Sequence, residues 1–223
     1  MEDSIEIILQ DRSSKFFHRV QDKRAFTWVT GAVFCGFYGL WAMFCMPGFF
    51  KVPFRLKVPF LPSPKEQVSN VMNLLEGRKG LLADLGSGDG RLVFAASLAG
   101  FKCTGFEINS MLLAYSRGRA WWRGIPHADV RFVNQDFWKT DLSRYRNVTV
   151  FLAPAVMEVL EEKLQKELPE DARVVVCRFP FPRWPPTSTR GAGLEQVWAY
   201  DMRTVRESTS TSRIGTCHMS KLA

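Results

Sequence analysis

Hydrophobic and polar positions fall into two regimes along this chain. From Ala25 to Phe50 no residue is charged, and Phe, Trp, Val, Leu and Met predominate. Beyond Lys65, short apolar runs of strand length alternate with stretches whose apolar positions recur at helical spacing. The pattern predicts strands over residues 80–85, 103–109, 130–134, 147–152, 172–177 and 194–200, with helices over 67–76, 92–99, 111–123 and 156–168. Such β-α alternation predicts an α/β fold with a doubly wound, mostly parallel sheet. In the 111–123 helix, Arg117, Arg119 and Arg123 stand beside Trp121 and Trp122. That reads as a basic helix whose aromatic rings face the core, in preference to a surface for stacking nucleic acid.

The uncharged run divides the chain into segments. At ~1.5 Å per residue it could reach roughly 39 Å against a hydrocarbon thickness of ~30 Å, and it has no polar stripe. Residues 25–50 are therefore read as a transmembrane anchor, its helix ended early by Pro47-Gly48 and its Trp28 and Trp41 near the interfaces. The N-terminal segment 1–24 contains Glu2, Asp3, Glu6, Asp11 and Asp22, which suits neither a cleavable signal nor an acid-poor presequence. Both flanks of the anchor are basic, so charge does not fix its orientation. Residues 51–64 hold four prolines and read as a semi-rigid strut whose Lys, Arg, Phe and Leu could lie on anionic headgroups. A catalytic domain is expected over 65–202, followed by a Ser/Thr-rich disordered tail at 203–223.

The candidate chemistry sits at Asp84-Leu-Gly-Ser-Gly-Asp-Gly-Arg91, a glycine-rich turn between the first predicted strand and its helix. The dinucleotide fingerprint G-x-G-x-x-G is not met, because the third glycine comes one position early, at Gly90, and no Walker lysine follows. Asp84 and Asp89 would repel a pyrophosphate but suit a ligand bearing cations, such as S-adenosylmethionine with its α-ammonium and sulfonium. Gly86 and Gly88 permit close backbone approach, with Ser87 between them. Glu107, at the end of the second strand, stands where an acid meets ribose hydroxyls. Asp136, after the third strand, stands where an adenine amino group can be met. Taken singly, such an acid is more often a turn former or helix cap; the ordered set of three points to a nucleotide ligand.

The motifs D-L-G-S-G-D-G-R (84–91), F-E-I-N (106–109) and N-Q-D-F (134–137) resemble those of the seven-β-strand, Rossmann-like, S-adenosylmethionine-dependent methyltransferases. Together with Lys65-Glu-Gln-Val68, Phe-Leu-Ala-Pro (151–154), Cys-Arg-Phe-Pro-Phe-Pro (177–182) and Val-Trp-Ala-Tyr-Asp (197–201), they are similar to the mitochondrial membrane-anchored protein-lysine methyltransferases. That family modifies the adenine nucleotide translocase and the c-subunit of ATP synthase. The resemblance implies a single-pass protein of the inner mitochondrial membrane with its domain facing the matrix, and a membrane-protein substrate; the translocase is favoured over the c-subunit. It adds Lys65, Gln67, Asn109 and Phe137 to the cofactor-binding set and implies that the helix after the strut covers the cofactor. Phe151, Pro154 and Trp138, with Phe179 and Trp184, are candidate walls of a lysine channel. A membrane-bound lipid or small-molecule methyltransferase is the rival with the same cofactor site.

Composition changes this picture little. The 223 residues suffice for one sizeable core. A net charge of +8 suits an anionic membrane surface or nucleic acid, but the Asn-Pro-Pro-aromatic motif of many base methyltransferases is missing after the fourth strand, so no nucleic acid partner is expected. Five cysteines without C-x-x-C spacing and three scattered histidines indicate no metal site and no disulfide framework. Asn147-Val-Thr149 is a formal glycosylation sequon at the start of a buried strand, which argues against its use.

Overall fold

The computed structural model describes residues 27–42 and 63–209. The chain divides into two compact units, Met1–Phe44 and Cys45–Ala223. Helix α1 (27–42) is the described part of the first. Trp28, Phe34, Phe37, Tyr38 and Trp41 on it are all exposed. Among the described residues no helix is long and apolar enough to cross a membrane. The remainder of the expected anchor, the 1–24 segment and the strut up to residue 62 lie outside the described residues.

The second unit runs α2 (Lys65–Leu74), β1 (Leu81–Leu85), α3 (Arg91–Leu98), β2 (Lys102–Phe106), α4 (Ser110–Trp122), β3 (Val130–Val133), β4 (Asn147–Val150), α5 (Pro154–Glu167), β5 (Arg173–Cys177), β6 (Ser188–Arg190), β7 (Val197–Asp201) and α6 (202–209). One seven-stranded sheet has the order β3-β2-β1-β4-β5-β7-β6. The first five strands are parallel, whereas β7 is antiparallel to both β5 and β6. The strand order reverses between β1 and β4, so the carboxyl ends of β1, β2 and β4 open a crevice at the switch point.

Helices cover both faces, which is why the central strands read as continuous apolar runs. One layer packs α5, Tyr145 and Tyr200 against Ala83, Leu85, Val148, Val150, Val174 and Val176. The other packs α2 and α3 against Leu82, Cys103, Val130, Val175 and Ala199. Asn147 is fully buried; its Oδ1 accepts from Arg78 Nε at 2.6 Å and its Nδ2 donates to Lys79 O at 3.1 Å, so the sequon is structural.

Three expectations are corrected. The seventh strand, β6, is a short Ser-Thr-Arg edge with no apolar pattern, and the last predicted strand starts only at Val197 because Gly193–Glu195 forms a 3-10 turn. Residues 203–209 are helical, not disordered: Met202 and Val205 are buried, and Arg206 Nη2 donates to Gln165 O and Leu168 O at the end of α5. Those last carbonyls have no partner within α5, so the tail's first turns are bound by helix-end chemistry the composition hides. Residues 210–223 lie outside the described residues. Finally, Trp121 and Trp122 do not face the core; they are 84% and 83% exposed.

Candidate functional site

The turn after β1 is built from three left-handed glycines, with φ of 81° at Gly86, 52° at Gly88 and 79° at Gly90. Space adds to the requirement at two of them. A Cβ on Gly86 would lie 3.0 Å from Leu152 Cδ2, and one on Gly90 would lie 2.6 Å from the Phe132 ring. Four amides of this turn are already used. Gly86 N and Ser87 N donate to Phe106 O at 3.0 and 2.9 Å, and Gly90 N donates to Ser87 O at 2.8 Å. Gly88 N donates to Glu107 Oε2 at 2.9 Å. A phosphate-binding loop needs such N–H groups aimed outward at the anion. Here they point into the protein and at a carboxylate, which physically separates this turn from a pyrophosphate cradle.

Glu107 is 9% exposed, and its other oxygen accepts Asn109 N at 2.7 Å. Burial raises its pKa, opposed by those backbone donors. The Ile108 backbone also acts on this carboxylate, and of its roughly four lone-pair directions at least one remains for a hydroxyl. Asp84 is 2% exposed and accepts from Thr149 Oγ1 at 2.7 Å. Burial pushes its pKa up to about 7, with Thr149 acting against the shift and Glu107 and Asp89 adding to it. A buried acid held near neutrality is suited to meet a cation, whose approach would favour the charged form.

Sequence position leaves Asp84 or Asp89 to orient the cofactor's amino-acid end; in the structure Arg91 grips Asp89 through Nε at 3.0 Å and Nη2 at 2.8 Å, and Arg119 Nη1 lies at 3.3 Å. Arg91 also donates to Ser63 O, tying the residue before α2 to the glycine turn. The Asp89 charge is thus matched within the protein. Asp136 Oδ1 accepts Trp138 N at 3.0 Å and caps the 3-10 turn Phe137–Lys139, and Asn109 Oδ1 caps α4 by accepting Met111 N at 3.0 Å. Phe137 is buried with its ring 4.8 Å from that of Trp138.

On α2, Lys65 is exposed whereas Gln67 is fully buried. Gln67 Nε2 donates to Leu194 O at 3.0 Å, but its Oε1 has no partner; Ser87 Oγ in the turn is likewise buried and unpartnered. A buried polar atom without a partner costs roughly 1–3 kcal/mol, which a bound polar ligand would relieve.

The expected channel walls divide between the two faces of the sheet. Phe151 is half-buried against the α2–α3 layer, while Trp138 and Phe179 pack on the opposite layer and Pro154 is exposed at the start of α5. Trp184 is core: it is 5% exposed and packs on Phe181 and Tyr200 with ring centroids at 4.6 and 5.9 Å. Leu152, whose Cδ2 lies against Gly86, is a further candidate wall that sequence reasoning passed over. It continues the Val148, Val150 face of β4, so the two-residue alternation pointed to it. Also unforeseen is Arg178, at the end of β5, which adopts φ of 67° while Phe179 N donates to Cys177 O at 2.8 Å. Left-handed backbone at a non-glycine residue costs of order 1–3 kcal/mol and clusters at functional sites. Among the described residues no group of His, Cys, Asp and Glu could hold a metal ion.

Comparison with known proteins follows the same geometry. Residues 84–188 match the model of the ANTKMT methyltransferase domain, and residues 20–53 match that of the ANTKMT N-terminal domain. The adenine nucleotide translocase lysine N-methyltransferase of Mus musculus is 48% identical over 166 residues, 74% of this chain and 72% of that protein. The ATP synthase c-subunit lysine N-methyltransferase of Xenopus laevis is 42% identical over 192 residues, 86% of this chain and 83% of that protein. The chain belongs to this family. Among solved structures, an RNA methyltransferase from Salinibacter ruber, in complex with S-adenosyl-L-homocysteine, superposes with a TM-score of 0.59 at 31% identity, covering 64% of this chain and 94% of that one. The fold is that of an S-adenosylmethionine-dependent methyltransferase.

Proposed function

We propose that this chain transfers methyl groups from S-adenosylmethionine to a lysine of an inner-membrane protein of mitochondria, the adenine nucleotide translocase first. The observation that carries the cofactor half is the placement of Glu107 and Asp84 at the ends of adjacent strands around a glycine turn four of whose amides are already spent. Glu107 would hold the ribose hydroxyls, Asp84 and the unpartnered Gln67 Oε1 the ammonium end, and Asp136 the adenine amino group. Phe137 closes the adenine side, and α2 covers the site through Gln67, with Lys65 at its solvent edge. When bound, S-adenosylmethionine supplies an electrophilic methyl on its sulfonium.

The chain's own part is to orient the amine and exclude water. Lysine has an unperturbed pKa near ~10.4, and desolvation beside Leu152, Trp138 and Phe179, the candidate walls that share one layer, would lower it toward the neutral, nucleophilic form. No acid-base triad is required; positioning in line with the methyl is the catalytic work. The lysine reading is supported by the names of the relatives. Modification of the ATP synthase c-subunit is the second reading, supported by the longer aligned span of its relative.

The uncharged 25–50 segment is read as a single membrane anchor, with the domain on the matrix side. Supporting it is the exposure of Trp28, Phe34, Phe37 and Trp41 on α1, apolar side chains that water does not favour. Protease protection in mitoplasts tests the orientation, and incubation of purified translocase and c-subunit with the chain and labelled S-adenosylmethionine separates the two substrates. Label partitioning into organic solvent, or lost on nuclease treatment, would favour lipid or nucleic acid as acceptor.

A further inference from the structure

Helix α4 carries chemistry that methyl transfer does not use. Its outward face consists of Ala114, Tyr115, Arg117, Gly118, Trp121 and Trp122, all exposed, and the helix contains no acid. Trp121 and Trp122 are 84% and 83% exposed. Beside them the Arg119 and Arg123 guanidinium carbons lie 5.2 and 4.8 Å from the centre of the Phe94 ring, fixing two charges at the seam of α3 and α4. Leu98, one turn beyond Phe94 on α3, is 86% exposed. The acids of this region are Asp89, matched by Arg91 and Arg119, and the half-buried Asp129.

We propose that the outward face of α4 rests on the surface of an anionic lipid bilayer. Indole and phenol rings beside arginines, without acids, are the composition of a face that lies at headgroup depth. Charge complementarity selects an anionic surface. Arg117 donates to Phe132 O at 3.1 and 2.7 Å and Arg119 donates to Asp89 O at 3.1 Å, so part of each guanidinium is held by the protein while its charge remains. The indoles supply the part of the surface that gains from leaving water. Because α4 begins directly after Asn109, two residues from Glu107, a bilayer lying along it passes beside the cofactor end. The value of that placement rests on the membrane-protein substrate proposed above; the lipid contact itself does not.

The test uses the full chain on vesicles of brominated phosphatidylcholine alone or mixed with brominated phosphatidylglycerol. Trp121→Phe/Trp122→Phe supplies the fluorescence blank among the seven tryptophans. The difference signal is expected to be quenched at least about two-fold more on the anionic vesicles, in keeping with headgroup attraction. Arg123→Glu, checked for folding by circular dichroism, should remove most of that excess while flotation with vesicles persists. A difference signal that anionic bromolipid leaves unquenched, or that charge reversal does not change, overturns the proposal. So does shielding of the two indoles by RNA or by rising protein concentration without lipid. None of these readings depends on methylation, so failure of the enzymatic assignment and failure of the bilayer contact are separable.

Discussion

Glu107 Oε2 accepts the Gly88 amide at 2.9 Å, so the acid that ends β2 also holds the glycine turn that follows β1. One side chain thereby shapes the turn and presents its remaining lone pairs to the crevice. Glu107→Ala should weaken S-adenosylmethionine binding by one to two orders of magnitude, the equivalent of losing a charge-assisted bond of about 1.5–3 kcal/mol. Glu107→Gln should lose less, since one oxygen still accepts. Calorimetric titration checks both, and unchanged affinity in the alanine variant removes Glu107 from the site.

Asp84 gives a pH signature. Its folded pKa, near 7, lies above the ordinary carboxylate range, so the folded chain holds a proton that the unfolded chain releases. The stability this contributes is fully present below about pH 4 and is lost as pH rises toward 7, where the slope ends. Asp84→Asn should flatten that slope in thermal melts between those limits. A cationic cofactor end beside Asp84 should favour its ionised form, so binding at pH 6 should release a proton in the wild type and not in Asp84→Asn. Titration in buffers of different ionisation enthalpy reads this directly; equal proton release by the two chains contradicts it.

Two glycine substitutions should separate strain from fit. Gly90→Ala meets the Phe132 ring at 2.6 Å on top of an unfavourable φ, so it should destabilise the domain by about 2 kcal/mol or more. Gly86→Ala meets only the tip of Leu152, at 3.0 Å, and Leu152→Ala should rescue part of its loss of cofactor affinity. Chemical denaturation and binding on the three variants test the pattern; equal effects of both glycine changes would show that space is not the cause.

Far from the crevice, Glu161 is 1% exposed and accepts Arg183 N at 2.9 Å, Trp184 N at 3.0 Å and Arg183 Nε at 2.8 Å. Glu161→Ala strands these donors and should cost about 3 kcal/mol in urea denaturation, with cofactor affinity unchanged once folded.

Most of the sheet is legible in the sequence because its central strands are buried on both faces and therefore largely apolar, with Asp84, Asn147 and Thr149 as buried polar exceptions. β6 escapes since an edge strand reading Ser-Thr-Arg gains its place from pairing with β7, a partner remote from any local pattern. Trp121 and Trp122 depart from expectation for the opposite reason: apolarity predicts burial, whereas both stand in solvent at the end of α4. At the site, Glu107 and Asp84 can be read from position after a strand. The use of Asp89 by Arg91 and Arg119, and the opposite-face placement of Phe151 and Trp138, depend on tertiary neighbours that spacing does not encode.

The most direct measurement is tandem mass spectrometry of purified adenine nucleotide translocase and ATP synthase c-subunit after incubation with this chain and S-adenosylmethionine. Methyl additions confined to lysine, and sharply reduced by Glu107→Ala at a cofactor concentration that just saturates the wild type, are predicted. Wild-type chain that binds the cofactor yet leaves every lysine of both proteins unmodified would contradict the account.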